Sequence, residues 1–561
     1  MNSSFPHKLL AVCLGLLAGG RASGADDVVI RWNDFLREAM KRDSLYSNPG
    51  HSTRAMAMMN GAIYDSFQAV RRTHAPFHVN MSASPTANLT AAVAAAAYPI
   101  AKDHYPAETY FLTWCYRNYV DQIPESADKA AGIALGEAVA AAYLAWRLDD
   151  GHDSLVEYVP GNGPGKWQPD PDFFPVQTAW GPEWGAVRPF VVASSSQFQP
   201  PPPPALDSAA YAAAFAEVKA YGADDSEVRT ADQFQVGQFW AYDRSGMGPP
   251  PVMYNKSLSE ICKQRGTPAA VNARVFAMVS AAMADASICA WDAKFESDFW
   301  RPVTAIRAAD TDGNPATEAN PEWHPLGVPG GGIFPNFTPA FPSYVSGHAA
   351  MGGAAFQMMK RFFGSDRQVF ALGSEEVPGV TRHYTTFSQA ARENADSRVW
   401  LGVHWRFDQT EGQNLGEAVA DFVAANAFAP VLETYADFAG VHGTSLDGSG
   451  DLDHDGLSDF AEYAFGLHPR TADAPAGAEL RMIGNVQYLV LPYSRQPARM
   501  AAGLSVSAEV SAAGALSGWT TVGITDMADP TKTSTSGMEY RCACVPVVPG
   551  AAVFMRLRAG M

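Results

Sequence analysis

The arrangement of apolar and polar positions divides the chain into a long helical part and a shorter strand-rich part. From Arg31 to about Ala429 the patterns are mainly helical, and the alanine-rich stretches 91–101 and 127–146 have high helix propensity. Segments rich in proline and glycine separate these stretches, and the proline run 200–204 can only be an extended connector. The sequence therefore predicts a bundle of helices joined by irregular loops.

The pattern changes after about Val431. A segment rich in glycine and aspartate, 440–459, leads into runs that alternate or are β-branched, at 486–493, 504–510 and 552–557. We therefore expect a mainly α fold in three parts, with the strands in the last part. The predicted parts are a helical domain over 25–435, a linker over 436–474 and a small β-domain of unknown role over 475–561.

The N-terminus has the order of a cleaved secretory signal, predicted over residues 1–24. His7 and Lys8 precede the apolar run 9–19, and the small residues Ala22, Ser23 and Gly24 follow it. The apolar run is too short to span a bilayer, and no later stretch approaches about 20 uninterrupted apolar residues. We expect a secreted or periplasmic protein without a transmembrane segment.

Composition narrows the possible partners. The chain has 40 basic and 58 acidic residues and a net charge of −18, which argues against nucleic acid and anionic membranes as partners. An anion-binding site must therefore be a local basic cluster. Cysteine is too sparse for a disulfide framework, and Cys542 and Cys544 lack a second ligand pair, so we interpret them as strand residues.

The first of three segments with candidate chemistry is 294–302. Lys294 and Arg301 are seven residues apart, close to two turns of a helix, so we expect both on one helix face and aimed at one anion. Two cations on a helix face usually form a solvated stripe. Here the neighbouring aromatic residues predict a partly buried helix, in which unpaired cations would be costly.

The second segment, 341–350, contains Ser346, Gly347 and His348 just before an apolar run that predicts a helix. A helix start offers free backbone N–H groups, the positive end of the helix dipole and here a hydroxyl, all suited to an anion. Serine alone at this place would be only an N-cap. An N-cap alone does not explain the adjacent His348, so we interpret the triplet as part of a binding site.

The third segment, 397–408, places Arg398 six residues before His404 and Asp408 four residues after it. A carboxylate one helical turn from an imidazole can orient it and raise its basicity. By itself His404 would more often be a core histidine. The three segments together predict an oxyanion site made of Lys294, Arg301, Ser346, Gly347, His348, Arg398 and His404.

The pattern K-x6-RP, PS-x2-SGH and SR-x5-H-x3-D resembles the signature of the superfamily that joins vanadium haloperoxidases to type 2 phosphatidic-acid phosphatases. The chloroperoxidase branch is the most similar, because Trp291 and Phe341 match the two aromatic residues of its halide pocket. The segment 239–243 is similar to one whose aspartate, here Asp243, pairs with the arginine matching Arg398. The resemblance covers about residues 31–429 and implies a helical-bundle catalytic domain.

The resemblance also implies a mechanism. His404 would bond vanadium, while Lys294, Arg301, Arg398, Ser346 and Gly347 would neutralise the vanadate oxygens. His348 would serve as acid and base for peroxide, and Lys294 would polarise it for attack by halide. The implied activity is oxidation of bromide, and of chloride too, by hydrogen peroxide to hypohalous acid, which halogenates a small organic substrate. Since bromide-selective relatives have histidine at the position of Phe341, chloride competence is expected.

Two other functions fit the same residues. With phosphate in place of vanadate, the chain would be a secreted acid phosphatase with a phosphohistidine at His404. A binding protein that only sequesters an oxyanion is the second alternative, but a storage site would not need His348. The sequence leaves the organic substrate and the oligomeric state open.

A second candidate site lies in the predicted linker. Acidic residues occupy positions 1, 3, 5, 9 and 12 of the segment 451–462, with Gly456 at position 6, which is the spacing of a twelve-residue calcium loop. An acidic solvated linker is the alternative. The expected calcium ligands are Asp451, Asp453, Asp455, the Leu457 carbonyl, Asp459 and Glu462.

Overall fold

The fold is seen in a computed structural model. The structure describes residues 27–43, 49–173, 176–244, 246–330 and 336–429, followed by 431, 439, 449–452, 454, 458–465, 479–483, 486–495, 505–512, 521, 524–528, 539–546 and 553–560. The predicted secretory signal lies outside the described residues, as do Asp453, Asp455 and Leu457 of the predicted calcium loop.

The prediction of a mainly α fold is confirmed. Helices α1–α13 run through the first three quarters of the chain, and side-chain caps begin several of them, such as Asn88, Ser126 and a capping box at Thr230. The helix bounds are α1 Val28–Arg42, α2 Pro49–Arg71, α3 Leu89–His104, α4 Thr109–Val120, α5 Ala127–Trp146, α6 Ala209–Tyr221, α7 Ala231–Phe239, α8 Pro251–Arg265, α9 Ala269–Ser297, α10 Pro302–Arg307, α11 Gly347–Phe363, α12 Phe387–Trp400 and α13 Arg406–Asn426, with α14 Asp459–Phe465 beyond them.

Helix α9 is the central element. Almost every side chain from Asn272 to Lys294 is buried, and α2, α11 and α13 pack around it. By length and composition α9 could cross a membrane, but its most apolar window is wholly buried inside the protein. A helix that is apolar on all sides is what the core of a large helical domain requires.

Helices α11 and α13 approach each other very closely. A Cβ atom added to Gly416 of α13 would lie 2.0 Å from the carbonyl oxygen of Ala350 in α11, and one added to Gly412 would lie 2.6 Å from that of Ser346. Only glycine allows this backbone contact. The contact places the first turn of α11 directly against α13.

The strands are few. A hairpin of β1 Arg367–Gly373 and β2 Thr381–Thr386 interrupts the helical part and was not predicted from the sequence. After α14, an antiparallel sheet has the order β3-β4-β7-β6, and β5 pairs with β8. The bounds are β3 Glu479–Ile483, β4 Val486–Arg495, β5 Ser505–Ala512, β6 Thr525–Ala528, β7 Glu539–Pro546 and β8 Val553–Gly560.

The three predicted strand runs correspond to β4, β5 and β8, and each begins within one residue of its strand. Cys542 and Cys544 are buried residues of β7, as predicted. Cys115, Cys262 and Cys289 are also buried, and none of these five cysteines forms a disulfide.

The contact between α11 and α13 gives a stability prediction. We expect Gly416→Ala to lower the free energy of unfolding by about 1–3 kcal/mol, because overpacking exceeds the gain of about 1 kcal/mol in helix propensity. Denaturant titration measures the difference. The control is Gly163→Ala, where no atom lies within 4 Å of the added Cβ; equal midpoints for the two variants would contradict the close-contact argument.

Candidate active site

Lys294 and Arg301 converge on one place, although not in the way their spacing predicts. The expected single helix is wrong: α9 ends at Ser297, Asp298 takes a left-handed conformation with φ of 51°, and Arg301 is the N-cap of α10. Pro302 at the first position of α10 enforces the new start. The break between the helices, rather than a shared helix face, lets the two side chains meet.

Both cations are held by main-chain oxygen atoms. The ammonium of Lys294 donates to the carbonyls of Pro342 and Ser343, at 3.0 and 3.1 Å. The guanidinium of Arg301 donates to the carbonyls of Phe341, at 2.9 Å, and Val403, at 2.7 Å. The cations thereby tie the segment 341–343 to the end of α9 and to the loop before α13.

Ser346, Gly347 and His348 form the start of α11, as predicted. Ser346 is the N-cap, and its hydroxyl accepts from the amide of Ala349 at 3.4 Å. The first amides of a helix have no partner within the helix and lie at the positive end of its dipole. A Cβ on Gly347 would lie 2.9 Å from the ring of Trp291, so glycine is needed at this position.

Arg398 and His348 share a wall with the segment before α8. Nη2 of Arg398 lies 2.9 Å from a carboxylate oxygen of Asp243, both side chains being buried. Nε2 of His348 is 2.9 Å from the carbonyl of Ala241. Since a carbonyl only accepts, Nε2 carries the proton and Nδ1 of the neutral ring is the basic nitrogen.

His404 lies in the loop between α12 and α13 and is oriented by a carboxylate. Its Nδ1 is 2.8 Å from Oδ2 of Asp408, which lies in the first turn of α13 and also accepts from the Ser343 hydroxyl. This bond places the proton of the neutral ring on Nδ1 and leaves a lone pair on Nε2. Because a guanidinium only donates, Nε2 accepts a hydrogen bond from Nη1 of Arg301 at 3.0 Å, inside the basic cluster.

The electrostatics of the cluster follow from burial. Lys294, Arg301 and Arg398 are each at most 1% exposed. Burial and the neighbouring cation Arg301 hold the pKa of Lys294 well below its ordinary value, and burial lowers the pKa of Arg301 to about 9. Burial also raises the pKa of the Asp243 and Asp408 carboxyls to about 6. The positive charges of Lys294 and Arg301 are therefore unfavourable without a nearby anion, and a bound anion would compensate them.

Two aromatic rings cover one side of the cluster. The rings of Trp291 and Phe341 are 5.1 Å apart, and the Lys294 ammonium lies 5.5 Å from the first and 4.9 Å from the second. The Arg301 guanidinium also lies 4.9 Å from the Phe341 ring. These rings give the cations an apolar boundary and keep their electrostatic interactions poorly screened.

The residues fit a bound oxyanion. Nη2 of Arg301 is buried and has no hydrogen-bond partner within the described part of the chain. A buried donor without a partner costs about 1–3 kcal/mol, which a ligand oxygen would remove. With the amides of the α11 first turn and the Nε2 lone pair of His404, the site supplies donors and one ligand atom to a compact, highly charged anion.

The comparisons with known proteins point to one family. The family model of the VCPO second helical-bundle domain matches residues 274–431, a range that contains all seven predicted oxyanion residues. A vanadium chloroperoxidase from Curvularia inaequalis is 33% identical over 239 residues, 34% of this chain and 38% of that protein. Residues 274–431 therefore match the second helical-bundle domain of vanadium chloroperoxidases, and the chain spans a little over a third of the length of this curated relative.

Solved structures give the same fold over a longer range. A bacterial vanadium-dependent iodoperoxidase matches with a TM-score of 0.58 and 25% identity, covering 73% of this chain and 99% of that one. A bacterial vanadium-dependent chloroperoxidase matches with a TM-score of 0.55 at 18% identity, over 68% of this chain and 95% of that one, which shows the fold. The vanadium haloperoxidase fold therefore extends well beyond the range of the family model.

Sequence reasoning missed three contributors to this site. Ser343 received no role from the sequence, yet its hydroxyl donates to Asp408 and its carbonyl accepts from Lys294. The carbonyl of Ala241 has no side-chain signal that could reveal it. Trp180 packs on both Trp291 and Phe341, and its position outside every motif hid it.

The cluster predicts a specific effect on anion binding. We expect orthovanadate to raise the melting temperature of the wild type, because a ligand that binds only the native state stabilises it. In Arg301→Gln the affinity should fall by about 30-fold, the equivalent of a charged hydrogen bond of about 2 kcal/mol. Thermal shift against vanadate concentration measures both.

A matched control lies on the same helix. Arg307 of α10 pairs with Asp172 at the surface, outside the cluster. Arg307→Gln should bind vanadate as the wild type does. Equal affinities of the two glutamine variants would show that Arg301 does not contact the anion.

Proposed function

We propose that this protein is a vanadate-dependent haloperoxidase that uses hydrogen peroxide to oxidise halide to hypohalous acid. The observation that carries the proposal is the lone pair on Nε2 of His404, oriented by Asp408 and enclosed by buried cations. Vanadate carries several charged oxygens around one metal, and a neutral imidazole is a common metal ligand. The names of the chloroperoxidase and iodoperoxidase relatives support the same activity.

Each side chain has a role that its contacts support. His404 would bond vanadium through Nε2, while Lys294, Arg301, Arg398, the Ser346 hydroxyl and the Gly347 amide would bind the oxygens. Bound vanadate supplies a Lewis acid that activates peroxide toward halide, and the vanadium keeps its oxidation state. Asp243 and Asp408 hold Arg398 and His404 in place.

In this proposal His348 would move the proton of incoming peroxide. Burial and the nearby Arg398 hold its pKa well below the ordinary value, so the ring is neutral at physiological pH. Because Nε2 donates to Ala241, Nδ1 accepts a proton from peroxide and returns it later to the leaving oxygen. Burial of Lys294 keeps its ammonium desolvated, which strengthens its pull on a nearby oxygen.

Chloride competence is part of the proposal. The apolar ring of Phe341 lies against both Lys294 and Arg301 and excludes water from their charges. Chloride is harder to oxidise than bromide, so it needs the more strongly polarised oxidant that such a dry boundary supports.

The remaining organisation is proposed from the sequence. The signal over 1–24 supports secretion or delivery to the periplasm. The division into a catalytic part over 25–435, a linker over 436–474 and a β-domain over 475–561 is consistent with the change from α13 to the C-terminal strands.

We further propose that the linker binds calcium through the loop 451–462. The twelve-residue spacing supports this, and Glu462 at the last position is fully buried on α14. Within the described part of the chain no group of three or more histidine, cysteine or acidic side chains is placed to hold a metal, while Asp453, Asp455 and Leu457 lie outside it. A single loop of this kind would act as a structural clamp.

The main test separates vanadate binding from catalysis. His348→Ala should bind vanadate within a few-fold of the wild type but lose bromide oxidation by about 10²–10⁴-fold, the usual contribution of a general acid–base. Bromination of a phenolic dye with peroxide and bromide measures the rate. His383→Ala, an exposed histidine of β2, is the control with full activity.

Two results would contradict the haloperoxidase proposal. Hydrolysis of a phosphate ester without any bromination by vanadate-loaded protein would favour the phosphohistidine reaction of an acid phosphatase. Full peroxidase activity in His348→Ala would show that His348 is not the acid and base. It would also favour the alternative of a binding protein that only sequesters an oxyanion.

The halide pocket gives its own prediction. Phe341→His should lose chloride oxidation before bromide oxidation, because an imidazole brings water to the boundary of Lys294. The control Phe341→Leu keeps an apolar side chain and should keep more of the chloride activity. Rates with each halide at saturating peroxide give the ratio, and an unchanged ratio in the histidine variant removes the argument.

Calcium removal tests the linker. Chelation should increase proteolytic cleavage within 440–475, since a ligand stabilises the state that binds it. In Glu462→Ala added calcium should no longer protect this region, whereas Asp473→Ala, outside the loop, should behave as the wild type. Cleavage that does not respond to calcium in the wild type would refute the site.

A further inference from the structure

A cavity of about 640 Å³ opens beside the aromatic boundary of the anion site. The wall nearest that boundary is the segment 179–183, and the facing side is formed by the loop 152–157 with His51. The volume lies in the range of about 300–1,000 Å³ typical of sites for small organic ligands. No residue of the sequence-predicted site lines it.

Trp180 separates the cavity from the halide pocket. Its half-buried ring lines the cavity and packs edge-on against Trp291 at 5.1 Å and Phe341 at 6.3 Å. A single indole therefore lies between a ligand in the cavity and the rings that face Lys294. Oxidant formed at the anion site would arise one side chain away from that ligand.

Helix α9 fixes this wall. Nε1 of Trp184 donates to Ser287 of α9 at 3.1 Å, and a Cβ on Gly185 would lie 2.7 Å from the backbone of Asp292. Gly181 has φ of +81° and lies directly beside Nε1 of Trp291, a buried donor without a hydrogen-bond partner among the described residues. The wall is thus preformed and carries one unused donor next to the cavity.

The cavity is negatively charged and partly apolar. Asp153, Glu157 and Glu183 line it, and none of them is in an ion pair within the ranges the structure describes. Burial lowers the pKa of His51 to about 4, so its ring adds no positive charge at neutral pH. Leu155 and Val156, both exposed, form an apolar rim.

We propose that this cavity binds the organic substrate as a protonated arylalkylamine, with the aromatic ring on Trp180 and the alkylammonium toward the three carboxylates. The assignment of this ligand as the substrate rests on the proposed haloperoxidase function. An aromatic ring stacks on indole, and an ammonium is attracted by carboxylates, whereas an aryl carboxylate would be repelled. Trp180 would then be a specificity-determining residue.

The carboxylates also determine which atom of the substrate is halogenated. Hypohalous acid transfers its halogen to a ring carbon, the ring loses a proton, and water is released, so that an aryl C–H becomes an aryl C–halogen bond. A free amine would compete, because its nitrogen lone pair also attacks halogen. Carboxylates that hold the amine as ammonium remove this lone pair and direct halogenation to the ring.

The binding step can be measured without turnover. Tyramine, 4-ethylphenol and 4-hydroxyphenylacetate share a phenol ring but differ in charge, and calorimetry on vanadate-free protein compares their affinities. We expect the cation tyramine to bind most tightly, the neutral 4-ethylphenol less tightly and the anion 4-hydroxyphenylacetate most weakly. In the triple variant Asp153→Asn, Glu157→Gln, Glu183→Gln the preference for tyramine over 4-hydroxyphenylacetate should fall by about tenfold, the sum of three partly exposed charge contacts.

The catalytic step uses the loaded enzyme. Trp180→Ala should raise the KM for tyramine bromination. The triple carboxylate variant should do the same, while it forms triiodide from iodide, without an organic substrate, at the wild-type rate. Trp180→Phe keeps a ring and should retain most of the affinity, which also guards against misfolding of the alanine variant. Glu137→Gln, an exposed carboxylate of α5 away from the cavity, is the charge control.

The outcomes separate the two proposals. Tyramine binding that depends on the carboxylates and on Trp180 supports the cavity site, whatever the enzyme oxidises. If the enzyme forms triiodide but binds the three phenols equally well, the cavity site is overturned and the haloperoxidase function stands. The same holds if the preference for tyramine is unchanged in the triple variant. Absence of triiodide formation in the vanadate-loaded wild type contradicts the haloperoxidase function alone.

Discussion

The architecture depends on keeping three like charges together in a buried place. Lys294 lies near the end of α9, Arg301 at the start of α10 and Arg398 in α12. Bringing these three charges together works against both desolvation and mutual repulsion. The fold offsets this with two buried carboxylates and a set of main-chain carbonyls. The rigid packing of α9, α11 and α13 then holds the segments in place. The concentration of basic side chains makes the cluster receptive to an anion although the protein as a whole is acidic.

Much of this site could be predicted from the sequence because its chemistry is concentrated in three short segments. Ser346 at the start of α11 and the link between His404 and Asp408 follow from local spacing. The geometry of Lys294 and Arg301 does not, because the helix break depends on the left-handed Asp298 and on tertiary contacts that no helical period encodes. The hairpin β1–β2 was missed for a related reason, since short strands inside helical stretches carry a weak pattern.

Contributors that act through the backbone or through distant packing stay hidden from sequence reasoning. The carbonyl of Ala241 sets the tautomer of His348, but any residue could supply that oxygen. Trp180 is brought to Trp291 and Phe341 by loops far apart in the chain. With Trp180 included, the aromatic wall has opposite charge on its two sides, a cationic cluster behind it and acidic residues in front. The rings separate the cationic cluster from the acidic residues of the cavity, and the distance between these two groups is only a few side chains.

The main-chain anchoring of the cations has an evolutionary consequence. Lys294 and Arg301 are bound by the carbonyls of Phe341, Pro342 and Ser343, and these oxygens remain whatever side chains the three residues carry. Sequence drift in this segment can therefore reshape the pocket without dismantling the charge cluster. The main-chain contacts that hold Lys294 and Arg301 therefore persist while the side chains around them change.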